Sequence, residues 1–473
     1  MLDAAMRQDL FLFVHRVFRE VVPGTEFIPN WHLRAITHVL TEVGSGARRR
    51  QVIEVPPRSL KSICASVALV AWLLGRDPTR KIICVSYSQE LASRFSLLTR
   101  QVMKSDWYQR MFPGTRISPE KDRESYFRTT FGGFRDSTSV GGTLTGNGAD
   151  LIIIDDPAKP DEMMSESQRD SVNDWFDRTL ITRLNNKAKD GILLVMQRLH
   201  PSDLAGHVRA QGGWDVLSIP AIATQDEEIP LGAKVHRRRA GEVLDPAREP
   251  LAVLHELKLS MGSRNFEAQY QQNPLALDGG VLDWRWFRTF TELPELERPR
   301  IIQSWDCASK NTEFSDYSVC TTWLVHDGSY YLVDLFRKKL IFPELIQVSK
   351  ELAVRWRPTE VLIEDAAAGI QLIQQLVFDR PTCMPLPKRI KPEKDKRTRA
   401  HTVAPVLEQG RVFIPLTAPW LDDFRLELIQ FPDGKYDDQI DSVTQFLGYA
   451  ERQRMRGPSV VCMPMFGRRD TKR

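Results

Sequence analysis

A chain of 473 residues is too long for one hydrophobic core and predicts several domains. Its 42% apolar and 27% charged residues are those of a globular protein, which excludes a low-complexity or collagen-like chain. The net charge is only +4, yet basic residues cluster at Arg48–Arg50, Arg237–Arg239, Lys388–Arg399 and Arg468–Arg473. Such clusters suit a polyanion that touches selected faces, although Arg237–Arg239, in a polar loop, reads as solvated surface. The six cysteines show no CxxC spacing and the nine histidines no HxxxH pair, so buried thiols of a reducing cytoplasm are expected, with no disulfide frame or zinc site. No export-signal pattern opens the chain. The longest apolar run, Ile63–Leu74, is shorter than the ~20 residues a membrane span needs, so no membrane association is expected.

Residues 1–50 read as helical, with a break at Pro23-Gly24 and again over Phe27–His32. That aromatic segment can line a nucleotide base pocket, but core packing of Phe27 and Trp31 is the commoner use. Gln51–Val55 is a short apolar strand stopped by Pro56-Pro57, and a polar turn then delivers Lys61-Ser62 to the head of the buried Ile63–Leu74 helix. Strand, loop and helix in this order make a phosphate cradle: backbone N–H groups and the helix dipole face the anion, Lys61 reaches its oxygens and Ser62 can ligate magnesium. Arg58, Ser59, Leu60, Lys61 and Ser62 are therefore the candidate nucleotide-binding residues. Leu60 departs from the pattern, because a glycine there would supply positive φ and let phosphate approach closely. An ordinary helix start capped by Ser59 or Ser62 would look similar.

Lys81–Ser86 is a second buried strand and Ser88–Gln101 a helix, with Leu91, Phe95 and Leu98 on one face. Residues 102–135 look loop-rich, and the glycines of Ser139–Asp150 suit a tight or mobile connection. Leu151–Ile154 is a strand ending in Asp155-Asp156-Pro157, and Gly191–Met196 one ending in Gln197-Arg198. Apolar strands alternating with helices predict a parallel α/β sheet with its ligands at the strand carboxyl ends. Asp155 can there hold magnesium's water shell and Asp156 orient an attacking water, although glutamate is more usual in that second place. Gln197 and Arg198 can sense a γ-phosphate, and Arg58 can act as an arginine finger; a purely structural use of either arginine stays open.

Residues 226–297 show little periodicity and read as a linker or lid that Trp284 and Trp286 dock on a neighbour. From residue 298 the pattern restarts, with strands Ile301–Asp306, Tyr317–Val325 and Ser329–Leu335, the last two joined by a hairpin turn at His326–Gly328. Helix Pro343–Trp356, strand Glu360–Ile363, helices Gly369–Val377 and Thr398–Glu408, strand Arg411–Ile414 and helices over 420–430 and 438–451 follow. Three antiparallel strands, a helix and a parallel strand are the order of a ribonuclease H-like domain. The expected division is 1–225 (a P-loop, RecA/ASCE-like ATPase domain with a parallel sheet), 226–297 (linker), 298–455 (ribonuclease H-like, mixed sheet) and 456–473 (basic tail).

In such a sheet the first and fourth strands are neighbours, so Asp306 and the Glu364-Asp365 pair lie together at strand ends. The last helix then brings Asp437, Asp438 and Asp441 against them. Two magnesium or manganese ions about 3.5–4 Å apart suit phosphodiester hydrolysis, and an all-oxygen ligand set suits hard cations. Glu364 is preferred over Asp365 as ligand, and acids in a first turn also simply favour the helix dipole. Lys388–Arg399, between the second and third acids, can contact DNA phosphates without reading sequence.

With these residues in place the chain resembles the large terminase subunit of tailed bacteriophages or prophages. PPRSLKS, SYSQELA, TGNGADLIIIDDP and VMQRLHPSDLAG are similar to that family's motor domain. SWDCASK, YYLVDLFRKKLIFPEL, VLIEDAAAGIQLIQQL, DKRTRAHTVAPVLEQGRVFIP and FPDGKYDDQIDSV are similar to its nuclease domain. The resemblance runs through most of residues 25–450. It implies an ATP-driven motor that threads double-stranded DNA into a procapsid and a nuclease that cuts concatemers, in the host bacterial cytoplasm and transiently on the portal. It also implies Lys61 and Ser62 as the nucleotide pair, Asp155 as the magnesium-side acid, Asp156 as the catalytic acid, and Asp306, Glu364 and Asp438 as nuclease metal ligands, with Asp437 and Asp441 accessory. The implied partners are a small terminase subunit, the portal, and sister copies forming a ring there from a chain that can be monomeric alone. The rival readings are a helicase–nuclease of repair or mobile-element transfer, a recombinase without a motor, and a DNA-binding scaffold with a degenerate ATPase.

Overall fold

The computed structural model describes residues 2–144, 146–274, 281–307, 317–392, 394–432, 434 and 436–455, so the basic tail and Cys462 lie outside the described residues. The chain forms two compact units, Met1–Ala276 and Leu277–Arg473.

The first unit opens with helices Leu2–Gln8, Leu10–Val21 and Trp31–Ser45. The Asp9 side chain accepts from the N–H groups of Phe11 and Leu12 and so caps the second of these. Its strands are β1 (Arg50–Glu54), β2 (Lys81–Ser86), β3 (Ile117–Asp122), β4 (Tyr126–Thr129), β5 (Phe134–Ser139), β6 (Leu151–Asp155), β7 (Gly191–Met196) and β8 (Asp215–Ser218), followed by a β9–β10 hairpin (Glu227–Pro230, Val235–Arg238). The eight-stranded sheet runs β3-β4-β5-β2-β6-β7-β1-β8, parallel from β5 to β8 and antiparallel among β3, β4 and β5. Every residue of β6 and β7 is buried. Alternate residues enter two cores, Ile153 and Leu193 packing with Phe13, Leu40 and Trp72, and Ile152 and Leu194 with Met163 and Phe176.

Two stretches differ from the sequence expectation. Residues 102–135 hold a short helix, Asp106–Met111, and three strands in place of loop. Strand β5 (FRDSTS) escaped the hydrophobic pattern because a buried arginine anchors it: Arg135 donates to Ser137 Oγ, Thr99 Oγ1 and the Ser66 carbonyl. Residues 226–274, read as linker, are folded within the first unit as the β9–β10 hairpin and helices Leu251–Met261 and Ser263–Gln269. Leu254, Phe266, Tyr270 and Ala221 form their small core.

The second unit carries β11 (Arg288–Phe290), β12 (Arg300–Asp306), β13 (Ser318–His326), β14 (Ser329–Lys338), β15 (Glu360–Glu364), β16 (Lys388–Ile390) and β17 (Val412–Pro415), in the order β11-β17-β14-β13-β12-β15-β16. β12, β13 and β14 are antiparallel, while β12 and β15 pair in parallel as expected. Asp327 and Gly328 turn the hairpin with φ of 45° and 70°, the backbone signature of a type I′ turn. Helices Phe342–Trp356 and Ala367–Asp379 cover one face, and helices Lys396–Glu408, Leu421–Gln430 and Asp438–Met455 the other. Trp284 and Trp286 pack on this second core, Trp284 with its ring 5.8 Å from Phe424. Among the described residues no helix is long and apolar enough to cross a membrane.

Candidate functional site

In the first unit, β7 lies between β1 and β6, so the residues following these parallel strands gather at one carboxyl edge. The loop after β1 reaches that edge through two left-handed residues, Arg58 (φ 59°) and Leu60 (φ 58°). Leu60 thus takes the positive φ that a glycine would have supplied. The helix that follows is wound with the wider π pitch over Ile63–Leu69 and continues as α-helix over Val70–Arg76. Lys61 Nζ lies 3.2 Å from Asp156 Oδ1 and 3.5 Å from Gln197 Oε1. Ser62 Oγ donates to Asp155 Oδ1 (2.9 Å) and Ser66 Oγ to Asp155 Oδ2 (2.6 Å). Asp155 is buried; desolvation, and then the charge of Asp156, raise its pKa against those hydrogen bonds and Lys61. Lys61, Ser62, Asp155, Asp156 and Gln197 therefore stand together, with basic and acidic groups where a phosphate and its metal would be held.

Three other residues fare differently. Ser59 is fully buried, its hydroxyl donating to the Pro56 carbonyl at 2.9 Å, so only its backbone can face a phosphate. Arg58 is exposed on the loop, and its carbonyl accepts from Arg248. Arg198 is buried and committed to structure, with Nε 3.0 Å from Asp203 and one terminal nitrogen 3.3 Å from Glu54. Upstream, Phe27 packs 5.3 Å from the Phe18 ring and Trp31 stacks on His236 at 4.3 Å, which is core packing. Ser66, one turn beyond Ser62, is the residue the sequence reading missed; its only signal there was a hydroxyl in an otherwise apolar helix.

In the second unit, pairing of Trp305 with Ile363 sets Asp306 beside Glu364 at two strand ends. The last helix is pinned to those strands by buried polar contacts: Ser304 Oγ to the Ser442 carbonyl (2.9 Å), Ser442 Oγ to the Ser304 carbonyl (2.8 Å), Ser442 Oγ with Thr321 Oγ1 (2.7 Å) and Gln445 Nε2 to Ser304 Oγ (2.9 Å). Its first turn, carrying Asp438 and Asp441, is thereby aimed at the strand ends. The pKa of Asp306 is raised, first by burial and then by the facing charges of Asp441, Glu364 and Asp438. Burial pushes Asp441 up to about 6 against Arg399 and Lys396. Asp365 turns away to Arg389 (3.5 Å), which leaves Glu364 as the acid facing the cluster. Cys307 is buried and held as the neutral thiol by burial and the nearby acids.

Two cations stand among these acids. Lys396 Nζ is 2.7 Å from both Asp437 and Asp441, and Arg399 reaches Glu364 at 3.2 Å and Asp441 at 2.9 Å. Among the described residues, no three acid, histidine or cysteine side chains are gathered tightly enough to hold a metal ion as they stand. The donors are nonetheless carboxylate oxygens that already hold positive charge, a set that fits a hard divalent cation. The basic run Lys388–Arg399 is engaged partly inside the fold: Lys388 bonds Glu360 (2.7 Å) and the Tyr449 hydroxyl (2.7 Å), and Lys396 and Arg399 bond the acids, so only part of it can face DNA.

Residues 303–449 match the family model described as the terminase RNaseH-like domain. The large terminase subunit of Enterobacteria phage T3 is 24% identical over 227 residues, spanning 44% of this chain and 38% of that protein. The large terminase of a thermophilic bacteriophage, solved in complex with ATP-γ-S, superposes with a TM-score of 0.52 at 13% identity, covering 88% of this chain and 98% of that one. A second structure of the same phage's large terminase gives 0.51 at 14% identity over 89% of this chain and 99% of that one. Residues 303–449 thus match the terminase RNaseH-like domain, and the chain is similar to phage large terminase subunits, in sequence over part of its length and in fold.

Proposed function

We propose that this chain is the motor and nuclease subunit of a viral DNA-packaging machine, hydrolysing ATP to move double-stranded DNA into a procapsid and cutting concatemeric DNA. The observation that carries the reading is the facing of Asp306, Glu364, Asp438 and Asp441 from two adjacent strand ends and a helix start. That arrangement sits in a chain whose other unit gathers Lys61, Ser62, Asp155 and Asp156 around a phosphate loop.

In the motor, Lys61 would exchange Asp156 for the terminal phosphates of ATP, and Ser62 and Asp155 would hold the accompanying magnesium ion. Asp156, released from Lys61, orients the attacking water. Arg58, exposed on the loop, is placed to meet charge on the transferred phosphoryl group, and Gln197 to sense that group. The thermophilic phage's terminase, of the same fold, was solved with an ATP analogue. In the nuclease, Asp306, Glu364 and Asp438 would hold two magnesium or manganese ions, with Asp437 and Asp441 as further ligands. When bound, these ions supply water activation and stabilisation of the leaving oxygen. The reading takes a small terminase subunit, a portal ring and sister copies as partners, in the host bacterial cytoplasm.

The test uses the purified full chain on supercoiled plasmid with manganese. Asp306→Asn and Glu364→Gln are each expected to slow cutting by roughly two orders of magnitude, about 3 kcal/mol of lost charge stabilisation at about 1.4 kcal/mol per decade. Lys61→Ala is expected to lose ATP hydrolysis and keep the cutting. Undiminished cutting by an Asp306→Ala, Asp438→Ala double variant would sink the nuclease assignment, and undiminished ATPase in Lys61→Ala the motor assignment. Strand displacement driven by ATP would favour a helicase instead.

A further inference from the structure

Helix Lys396–Glu408 begins against the acids of the second unit. Asp395 caps it, accepting the Thr398 N–H at 2.9 Å and the Thr398 hydroxyl at 2.7 Å. The cap fixes Lys396 and Arg399, three positions apart, on the same face of the first turn. From there the two side chains take up Glu364, Asp437 and Asp441, at distances of 2.7 to 3.2 Å. The Arg399–Asp441 pair is not a screened surface pair, its side chains being 17% and 4% exposed, while the Lys396 side chain is 48% exposed. Partial burial makes such attractions several times stronger than in water. The oxygens they hold are those that the nuclease reading asks to take divalent cations, and one lone pair cannot serve both.

Arg399 also has a second neighbourhood. With Lys391, Lys394 and Arg452 it lines a groove of about 280 Å³, whose walls include Thr402 and Thr444. Four cationic side chains along one groove suit the phosphates of a nucleic-acid strand; the two threonine hydroxyls already donate to the Thr398 and Asp441 carbonyls. Arg399 is therefore shared between the acids and the phosphate track.

Resting on the nuclease reading above, we propose that Lys396 and Arg399 form a lock that substrate releases. Without DNA they act as internal counter-ions of Glu364, Asp437 and Asp441 and weaken divalent-cation binding. A strand phosphate in the groove draws Arg399 off, which bares carboxylate charge for the entering cation. Metal loading is thereby coupled to the presence of DNA, and the two side chains are positioning residues. The coupling is reciprocal: whatever factor DNA adds to metal affinity, the metal adds to DNA affinity.

The experiment measures Mn²⁺ binding to the full chain, without nucleotide, from the electron paramagnetic resonance signal of free Mn²⁺. It is run with and without a short phosphorothioate duplex that resists cutting, the binding of Mn²⁺ to duplex alone being subtracted. The wild type is expected to bind Mn²⁺ roughly tenfold more tightly with duplex present, the size of effect that neighbours of metal ligands have on affinity. Lys396→Met and Arg399→Met are expected to bind Mn²⁺ without DNA about as tightly as the wild type does with it. Equal wild-type affinity with and without duplex overturns the lock, and so does weaker DNA-free binding in both variants. The wild-type arm stands even if a variant misfolds. Asp306→Asn separates the two claims: if it removes Mn²⁺ binding while duplex changes nothing, the lock is wrong and the nuclease site stands. If Asp306→Asn leaves Mn²⁺ binding intact, the nuclease reading falls and takes the lock with it.

Discussion

Leu60 holds a left-handed backbone, φ 58°, in a loop where that conformation is normally left to glycine. For an L side chain this costs about 1–2 kcal/mol, and partial packing of Leu60 against the first core returns roughly 1 kcal/mol. Leu60→Gly removes both terms and adds about 0.5–1 kcal/mol of unfolded-chain entropy, so its net effect should be small. Leu60→Ala keeps the strain and loses the packing. Alanine is thus expected to be less stable than glycine here by about 1 kcal/mol, the reverse of the usual order. Urea unfolding, followed on the transition that nucleotide shifts, measures this, and an alanine variant as stable as the glycine one would show the strain to be absent. Asp156 is explained the same way: at φ 47°, a conformation aspartate tolerates better than longer side chains, the shorter acid is the easier fit where glutamate is more usual. The sequence exposed the demand at Leu60, a loop that must turn left-handed. It could not show that the chain would meet the demand without glycine, because that depends on what the leucine packs against.

At the scale of elements, Asp438 and Asp441 of the candidate acid cluster are placed by the start of the last helix, and Glu427 holds that start. Its carboxylate accepts the N–H of Gln439 (2.7 Å) and of Ile440 (3.3 Å) and the Gln439 side-chain amide (2.6 Å), capping the helix from another one. Glu427→Ala leaves buried donors unmade at about 1–3 kcal/mol each and removes a negative charge from a helix N-terminus. A loss of about 3 kcal/mol or more in the stability of the second unit is expected. Weaker Mn²⁺ binding should accompany it, because Asp438 and Asp441 ride on the same turn. Glu427→Gln keeps one acceptor and should lose less; equal losses in the two variants would deny the cap its role. The helix itself was legible from its apolar period, as were β12 to β15, whose runs and turn residues mark their ends. Its cap was not, since Glu427 and Gln439 are twelve positions apart and belong to separate elements. The Lys396–Asp441 and Ser66–Asp155 contacts were hidden for the same reason. β5 was hidden because a buried arginine, not an apolar stripe, holds it.

For the whole molecule, a net charge of +4 gives little long-range pull on DNA, so the grip must come from local clusters. Part of the basic charge is already paired: Arg238 is buried on Glu227 and backbone carbonyls, Arg237 pairs with Glu228 on the surface, and half-exposed Lys388 is held by Glu360. The groove of Lys391, Lys394, Arg399 and Arg452 is the cluster that stands next to the candidate nuclease acids. Each phosphate contact on duplex DNA contributes a slope of about −0.9 to the dependence of log affinity on log salt. Removing Lys391 and Arg452 together should therefore flatten that slope by about 2 and weaken binding most at low salt. Arg237→Ala with Arg239→Ala, an equal loss of charge elsewhere, should leave the slope within about half a unit of the wild type. Binding of a duplex oligonucleotide across a salt series compares the two double variants directly. If both flatten the slope alike, net charge governs the association and the groove has no special part. If only the first does, DNA is held where the acids can reach its backbone, which is what cutting without reading sequence requires.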